Sequence, residues 1–271
     1  MEETIMQRLK EYFEKEQSVL LAFLFGSAST GRETEESDVD VGIWLVDSSR
    51  EQQIWSDISS LLEKEVDLVV LNEAPATLVS NILKTGTPLV VKDSNLYRRL
   101  HLEKTTEAED FAEFAESYWR IAQRARSLSP EDRTRLLERL RFLENELSEI
   151  ERFRQLTFQE YQEERPKRRE IERWTENIMN AIIDIAKIAL ASEKRDMPKT
   201  YEAALRDFAL LAGLDEEKAQ KFSQFAKLRN ILAHEYLDIL YGRIRNFIDE
   251  FPPLYKEVSS FLEKYLEPSR L

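Results

Sequence analysis

Three aspartates and a Gly-Ser turn are the residues of this 271-residue chain whose types and spacing could do chemistry in its first half. The run Ser18–Gly26 (SVLLAFLFG) is short, apolar and ends in glycine, and Ser27 follows it. Glycine permits a tight turn and close backbone approach, so free N–H groups and the Ser27 hydroxyl can cradle phosphate oxygens. Ten residues later come Asp38, Val39 and Asp40. Alternate residues of a strand face the same side, which projects Asp38 and Asp40 together at a spacing of ~6–7 Å. Two such carboxylates repel each other. A Mg²⁺ ion between them and the phosphates of a nucleotide relieves the repulsion, because Mg²⁺ typically takes one or two carboxylates plus phosphates and water. Asp67 lies inside the otherwise apolar run VDLVVL. A buried strand tolerates a carboxylate poorly unless it is paired or metal-bound. If its strand neighbours that of Asp40, Asp67 becomes the third carboxylate of a two-metal site. Taken singly, each feature has an ordinary explanation: a turn, surface charge, a sheet-edge residue.

A second constellation lies in KFSQFAKLRNILAHEYLDIL, which contains Arg229, Asn230, His234 and Tyr236. Its plain explanation is a helix that ends in a capping histidine and a partly buried tyrosine. Arg229 and His234 are ~140° apart on an ideal helix, whereas Arg229 and Tyr236 share a face. One straight helix therefore does not aim Arg229 and His234 at one point. Either the helix breaks near His234, or two copies of the chain meet so that both line one cleft, which predicts a symmetric homodimer. Asp184 is the lone acid within IMNAIIDIAKIAL and reads more readily as a satisfied polar group between helices than as a site residue. The basic run Arg165–Pro166–Lys167–Arg168–Arg169 is read as a solvated loop and first helical turn, with an RNA-phosphate contact as the alternative.

The elements that must carry these residues divide the chain. In the first third, Ile5, Leu9 and Tyr12–Phe13 recur at helical spacing. Strands are expected at Ser18–Gly26, Val39–Val46, Glu65–Asn72 and Thr87–Asp93. A helix capped at Ser48–Ser49, with Ile54, Ile58, Leu61 and Leu62 on one face, and a short helix after Pro75 lie between them. From Leu100 onward the pattern is helical, near 103–127, 131–154, 168–192, 199–211, 215–235 and 252–266, with breakers that include Ser129–Pro130, Pro166, Gly242 and Pro252–Pro253. The fold class is α+β: a small α/β domain with a mixed sheet over residues 1–128, then an all-α helical bundle over 129–271, with SLSPED as the boundary.

Composition narrows the chemistry. Cysteine is absent and the only histidines are His101 and His234, which excludes thiolate sites and multi-histidine metal centres. The formal net charge of −13 argues against a DNA coat or an anionic-membrane binder. Residues 1–128 hold 24 acidic and 14 basic side chains, against 28 and 25 in the remainder. That acidity suits divalent cations and suits poorly the gripping of a long nucleic acid. No run approaches the ~18 apolar residues of a membrane span, and no signal-peptide core is present. A cytoplasmic protein is expected, with neither membrane nor DNA as partner.

Gly26–Ser27, ten residues, Asp38-x-Asp40 and a later Asp67 on a strand resemble, in this order, the signature of the polymerase-β-like nucleotidyltransferases. The short first domain, roughly residues 1–125, is similar to their minimal (MNT) subgroup. That subgroup often carries Arg or Tyr within the turn; here the turn reads GSASTG, with Arg32 just beyond it. The resemblance implies nucleoside monophosphate transfer from a triphosphate to a hydroxyl. Gly26 and Ser27 would bind the nucleotide, Asp38 and Asp40 would bind two Mg²⁺ ions, and Asp67 would bind the catalytic one and help deprotonate the acceptor.

The string R-N-x-L-A-H-x-Y resembles the motif of HEPN domains, helical bundles whose nuclease members carry R-x-x-x-x-H. With Tyr two residues after His it looks like the HepT toxin branch, over about residues 130–271. That resemblance implies a metal-independent endoribonuclease formed across a dimer. His234 would be the acid or base at the ribose 2′-hydroxyl and leaving oxygen, Arg229 would stabilise the transition-state charge, and Asn230 would orient the phosphate. In the family sense the halves resemble an antitoxin and its toxin, and the antitoxin adenylylates the tyrosine of the motif. With ATP as donor, Tyr236 is the expected acceptor. The leading expectation is a fused, self-modifying toxin–antitoxin protein with RNA as substrate of its helical half. Two alternatives stand beside it. An aminoglycoside-type nucleotidyltransferase would suit an acidic cleft but leaves the Arg229–His234–Tyr236 motif without a role. A non-catalytic HEPN scaffold would only dimerise and bind nucleotides.

Overall fold

The computed structural model of the chain describes residues 2–26, 38–124, 128–229 and 237–266. The fold is α+β, with two compact units, Met1–Asp110 and Phe111–Leu271.

In the first unit a four-stranded sheet runs in the order β3-β2-β1-β4, from β1 (Val19–Phe25), β2 (Val39–Leu45), β3 (Val66–Val70) and β4 (Thr87–Val91). β1 pairs antiparallel with β2 and with β4, and β2 pairs parallel with β3, so the sheet is mixed as expected. β1 is covered on both faces, which is why its sequence is apolar throughout rather than alternating. Ala22 and Leu24 pack with α1 (Glu2–Lys15) and α2 (Glu51–Leu62). Leu21, Phe23 and Phe25 pack on the other face with α3 (Ala76–Thr85) and with Leu96 and Leu100 of α4 (Ser94–Ala122). On α1 the expected stripe is buried at Ile5, Leu9 and Phe13. On α2 Ile54, Ile58 and Leu62 are buried while Leu61 is exposed. The cap before α2 is Asp47 rather than a serine: its carboxylate accepts from the Ser49 N–H and starts a 3₁₀ turn over Ser48–Arg50. α4 begins nine residues ahead of the expected start at 103, because Asp93 accepts the N–H groups of Asn95 and Leu96.

The second unit is helical. Ser129 caps α5 (Pro130–Ser148) by accepting from Asp132 N–H. α6 (Ile150–Arg154), α7 (Phe158–Glu163), α8 (Arg165–Ser192), α9 (Tyr201–Leu211) and α10 (Glu216–Gln224) follow, then helical residues 226–229 and α11 (Leu237–Tyr265). α8 is the central helix, packed against α5, α7 and α9, with Ile178, Met179, Ile182, Ile185 and Ala186 buried. Pro166 opens α8 instead of preceding it; in the first turn its missing N–H costs nothing.

The expected breaks at Gly242 and Pro252–Pro253 are corrected: α11 runs through all three. Pro252 has no N–H for the carbonyl of Ile248, one turn earlier. The Arg154 guanidinium reaches that carbonyl instead, at 3.2 Å. A second side chain, Arg245, donates to the Arg154 carbonyl, so α6 and α11 are tied in both directions. Phe247, Ile248, Phe251 and Tyr255 keep the same stretch buried. Arg154→Ala therefore leaves a buried carbonyl without its charged donor. It is expected to destabilise the helical unit by about 1–3 kcal/mol, the range for losing a hydrogen bond to a charged group, read as a lowered urea midpoint with an unchanged m-value.

Candidate functional site

The carboxylates are set out by strand parity. Val39, Val41, Ile43 and Leu45 of β2 are buried towards α1 and α2, which turns Asp40, Gly42 and Trp44 to the α3 side and leaves Asp38 at the head of that row. On β3, Val66, Leu68 and Val70 pack towards α1 and α2, so Asp67 and Val69 take the α3 side. The parallel register places Asp40 opposite Asp67. Neighbouring strands lie about 4.8 Å apart, and both carboxylates leave the same face. β3 therefore does neighbour β2, the condition on which Asp67 could join the site.

Two glycines make room for this row. Gly26 has φ +72°, and a Cβ there would lie 2.0 Å from Oδ2 of Asp40. The end of β1 thus folds over the Asp40 carboxylate, and only a residue without a side chain permits it. At Gly42, two residues along the same face, a Cβ would meet Leu71 at 3.2 Å and Ile82 at 3.3 Å. That absence lets α3 lie close to the sheet directly behind the carboxylates. In the sequence Gly42 carries no such signal, since a glycine inside a strand reads only as a weak position.

Burial holds the Asp40 carboxyl above its ordinary range, and the charges of Asp67 and Asp38 raise it further. Among the described residues no Lys or Arg forms an ion pair with Asp38, Asp40 or Asp67. Nor are three His, Asp or Glu gathered tightly enough among them to hold a metal ion unaided. The donor set fits a hard divalent cation that takes one or two carboxylates from the protein and the rest of its shell from phosphate and water. A cation there would supply the counter-charge that the side chains lack.

In the helical unit Arg229 is described and is held from two sides. Its Nε donates to Oδ1 of Asn180 on α8 at 2.9 Å, and its guanidinium lies 4.6 Å from the centre of the Tyr201 ring. Tyr201 in turn packs edge-on against Phe111 and Phe114. Asn180 precedes Arg229 by 49 residues, and no local spacing in the sequence marks it. Asp184, one turn further along α8, pairs with Lys187 at 2.9 Å and with Arg139 at 3.0 Å, which makes it a satisfied interhelical carboxylate. In the basic run, Lys167 pairs with Glu160 and Glu164. Ser27, Arg32, Asn230, His234 and Tyr236 lie outside the described residues.

Two substitutions test the first geometry. Gly26→Ala is expected to cost about 1–2 kcal/mol from the left-handed backbone alone and to displace the Asp40 carboxylate, so nucleotide-dependent chemistry should fall further than stability. Paired melting curves and turnover measurements check it. Asp40→Asn is expected to stabilise the metal-free protein at pH 7. The folded carboxyl sits above its ordinary value of 3.8, so the folded state binds the proton more tightly than the unfolded one. Stability is then lost as pH rises through that window and is already missing at pH 7. Thermal melts in chelator should show the gain at pH 7 and its disappearance below the ordinary Asp range.

Comparison with known proteins bears on both regions. Residues 7–95 match the polymerase beta nucleotidyltransferase family, and residues 143–261 match the ribonuclease HepT-like family. The chain carries both segments, in that order. The protein adenylyltransferase MntA of Shewanella oneidensis (strain MR-1) is 28% identical over 122 residues, covering 40% of this chain and 86% of that protein. Among solved structures, a toxin–antitoxin crystal structure with AMP-PNP matches with a TM-score of 0.34 and 22% identity over 41% of this chain and 88% of that one. A tri-AMPylated Shewanella oneidensis HEPN toxin in complex with its MNT antitoxin matches with a TM-score of 0.34 and 18% identity, over 41% and 89%. Among the described residues no helix is long and apolar enough to cross a membrane.

Proposed function

We propose that this chain is a fused, self-modifying toxin–antitoxin protein. Its first region (1–128) transfers AMP from ATP to Tyr236, and its second (129–271) is a HEPN endoribonuclease that the modification silences. The observation that carries the reading is the in-register pair Asp40 and Asp67 beneath Gly26, in a segment that matches nucleotidyltransferases and shares a chain with R-N-x-L-A-H-x-Y. The relative from Shewanella oneidensis, itself called a protein adenylyltransferase, supports a protein hydroxyl as acceptor.

In this reading the Gly26–Ser27 turn holds the nucleotide phosphates through backbone N–H groups and the Ser27 hydroxyl. Asp38, Asp40 and Asp67 would hold Mg²⁺, two ions in a complete site, which would supply positive charge against the negative charge of the departing pyrophosphate. Asp67, at the exposed edge of the row, accepts the proton of the acceptor hydroxyl. The tyrosyl oxygen forms a bond to the α-phosphorus of ATP as the bond from that phosphorus to the pyrophosphate oxygen breaks. In the helical region Asn180 and the Tyr201 ring hold Arg229 against the phosphate of RNA, where its charge stabilises the transition state. His234 moves the proton between the 2′-hydroxyl and the leaving oxygen, and Asn230 orients the phosphate. AMP on Tyr236 adds a negative phosphodiester and a nucleoside to that cleft and repels the substrate's phosphate.

Intact-mass measurement with ATP and Mg²⁺ should show added AMP. Tyr236→Phe should lose it and keep ribonuclease activity that no longer responds to ATP. Asp38→Asn and Asp40→Asn should each slow transfer by roughly 10²–10³-fold or more, the size of a lost preorganised electrostatic contact. AMP mapped to another residue, or to none, would refute self-modification.

The helical region is assigned as a homodimer with residues of both copies in each cleft. Mixing Arg229→Ala with His234→Ala chains should then restore part of the ribonuclease activity that each lacks alone. A monomer by light scattering at micromolar concentration would count against it.

A further inference from the structure

Three helices of the second unit enclose a cavity of about 340 Å³. α4 lines it with Ser117 and Ile121, α5 with Arg135 and Arg139, and α8 with Asp184 and Lys187. The members of each pair lie one turn apart, so each pair shares one face of its helix. Lys187 is fixed from two sides: it pairs with Asp184 at 2.9 Å and lies 5.7 Å from the centre of the Phe114 ring. Only 16% of its side chain is exposed. Arg139 reaches the other oxygen of the same carboxylate from α5, at 3.0 Å. Asp184 thus positions two cations with one negative charge, and each contact leaves further N–H donors on the guanidinium and the ammonium. Arg135 completes the set. It pairs with Glu131, but both side chains are exposed, so that pair is worth little.

The balance of charge favours an anion. Three cations line the cavity against two carboxylates, Asp184 and Glu138. Two other cavities differ: the one at Arg8, Glu11, Lys15 and Glu16 is balanced, and the one beside Trp55 holds Glu51 and Asp67 without a cation. The positive excess also runs against the −13 of the whole chain. Position supplies the kind of anion. Lys187 lies two turns along α8 from Asn180, the residue that holds Arg229, about 10.5 Å on and about 20° around the helix. Aromatic contacts join the same two points. Arg229 lies over Tyr201, Tyr201 meets Phe114 edge-on with ring centres 5.5 Å apart, and Lys187 lies over Phe114. A nucleic-acid strand advances ~3.4 Å per stacked nucleotide, so about three nucleotides span the interval.

We propose that this cavity is a second phosphate site of the helical unit, which holds the backbone phosphate about three nucleotides from the one at Arg229 in a bound RNA strand. Arg135 and Arg139 present planar N–H forks to that phosphate, Lys187 a compact charge, and the Ser117 hydroxyl a further donor. Asp184 is a positioning residue, and Glu138 is a repulsive one. Among the described residues Glu138 pairs with no cation. The proposal rests on the ribonuclease reading and deepens it: the second site sets a minimum length of strand for tight binding.

The test uses the full chain without ATP and non-cleavable 2′-O-methyl oligouridylates, a dinucleotide too short to reach the cavity and a pentanucleotide that spans the interval. Binding is followed by competition against a fluorescently labelled pentanucleotide. Lengthening should raise affinity at least tenfold in the wild-type chain and less than twofold in Arg135→Gln and Arg139→Gln, whose exposed positions should keep melting temperatures near wild type. Each variant should also flatten the dependence of log K on log[salt] for the pentanucleotide by about 0.7, the loss of one single-strand phosphate contact. Glu138→Gln should tighten pentanucleotide binding, which a merely structural role would not do. An equal gain on lengthening in all chains, or weaker binding by Glu138→Gln, would overturn the proposal. So would inorganic phosphate or AMP that binds the wild-type chain and not Arg139→Gln while both bind the pentanucleotide equally, since the cavity would then serve a free phosphate ligand. A length gain that the variants lose, without cleavage of any unmodified RNA, would instead sink the ribonuclease reading and leave the second phosphate site standing.

Discussion

Placing Asp40 across from Asp67 concentrates like charge at one end of a sheet whose other inward positions are apolar, and much of the first unit is arranged around that concentration. The parallel pairing of β2 and β3 fixes it, because a one-residue slip would send Asp67 to the α2 side and leave Asp40 alone. The same parity that exposes the carboxylates buries Val39, Val41 and Val66 behind them, so hydrophobic burial holds the register against the repulsion. Gly26 and Gly42 then decide how closely backbone and helix approach the row. The repulsion has a natural release in a divalent cation, so the clustered charge and the proposed chemistry are one feature.

The helical unit solves a different problem. Arg229 is a large, always-charged group beside a bundle core, and α8 deals with it by offering Asn180 from the edge of its buried face. A neutral amide orients a guanidinium without cancelling its charge, whereas a carboxylate in that place would neutralise it. Asp184, one turn on, shows the contrast: it is a carboxylate, and Lys187 and Arg139 consume it. The Tyr201 ring under the guanidinium adds a second constraint on its position.

What could be read from the sequence follows the range of the interaction involved. The strands were legible because each is a short apolar run between polar breaks, and the shared face of Asp38 and Asp40 follows from parity alone. Whether Asp67 joined them depended on strand order, which no local pattern encodes. Asn180 was invisible because its partner lies 49 residues away. The continuation of α11 past Pro252 is hidden for the same reason: the local rule for proline predicts a break, but Arg154 supplies the missing donor to the Ile248 carbonyl from 94 residues upstream. α4 begins ahead of its periodic pattern because Asp93 acts as a cap through bonds that its sequence neighbourhood only permits.

The bond between Arg154 and the Ile248 carbonyl makes positions 154 and 252 dependent on one another in descent. With Pro252 in place, the arginine supplies a donor that the backbone lacks. If an ordinary residue stood at 252, its own N–H would claim the carbonyl, and the arginine would become dispensable or would compete for it. Substitutions at the two positions are therefore not additive. A lineage that lost the proline first could shed the arginine freely, while one that lost the arginine first would pass through a weakened intermediate. The order in which related chains exchange these residues is thus constrained by one hydrogen bond inside a helix.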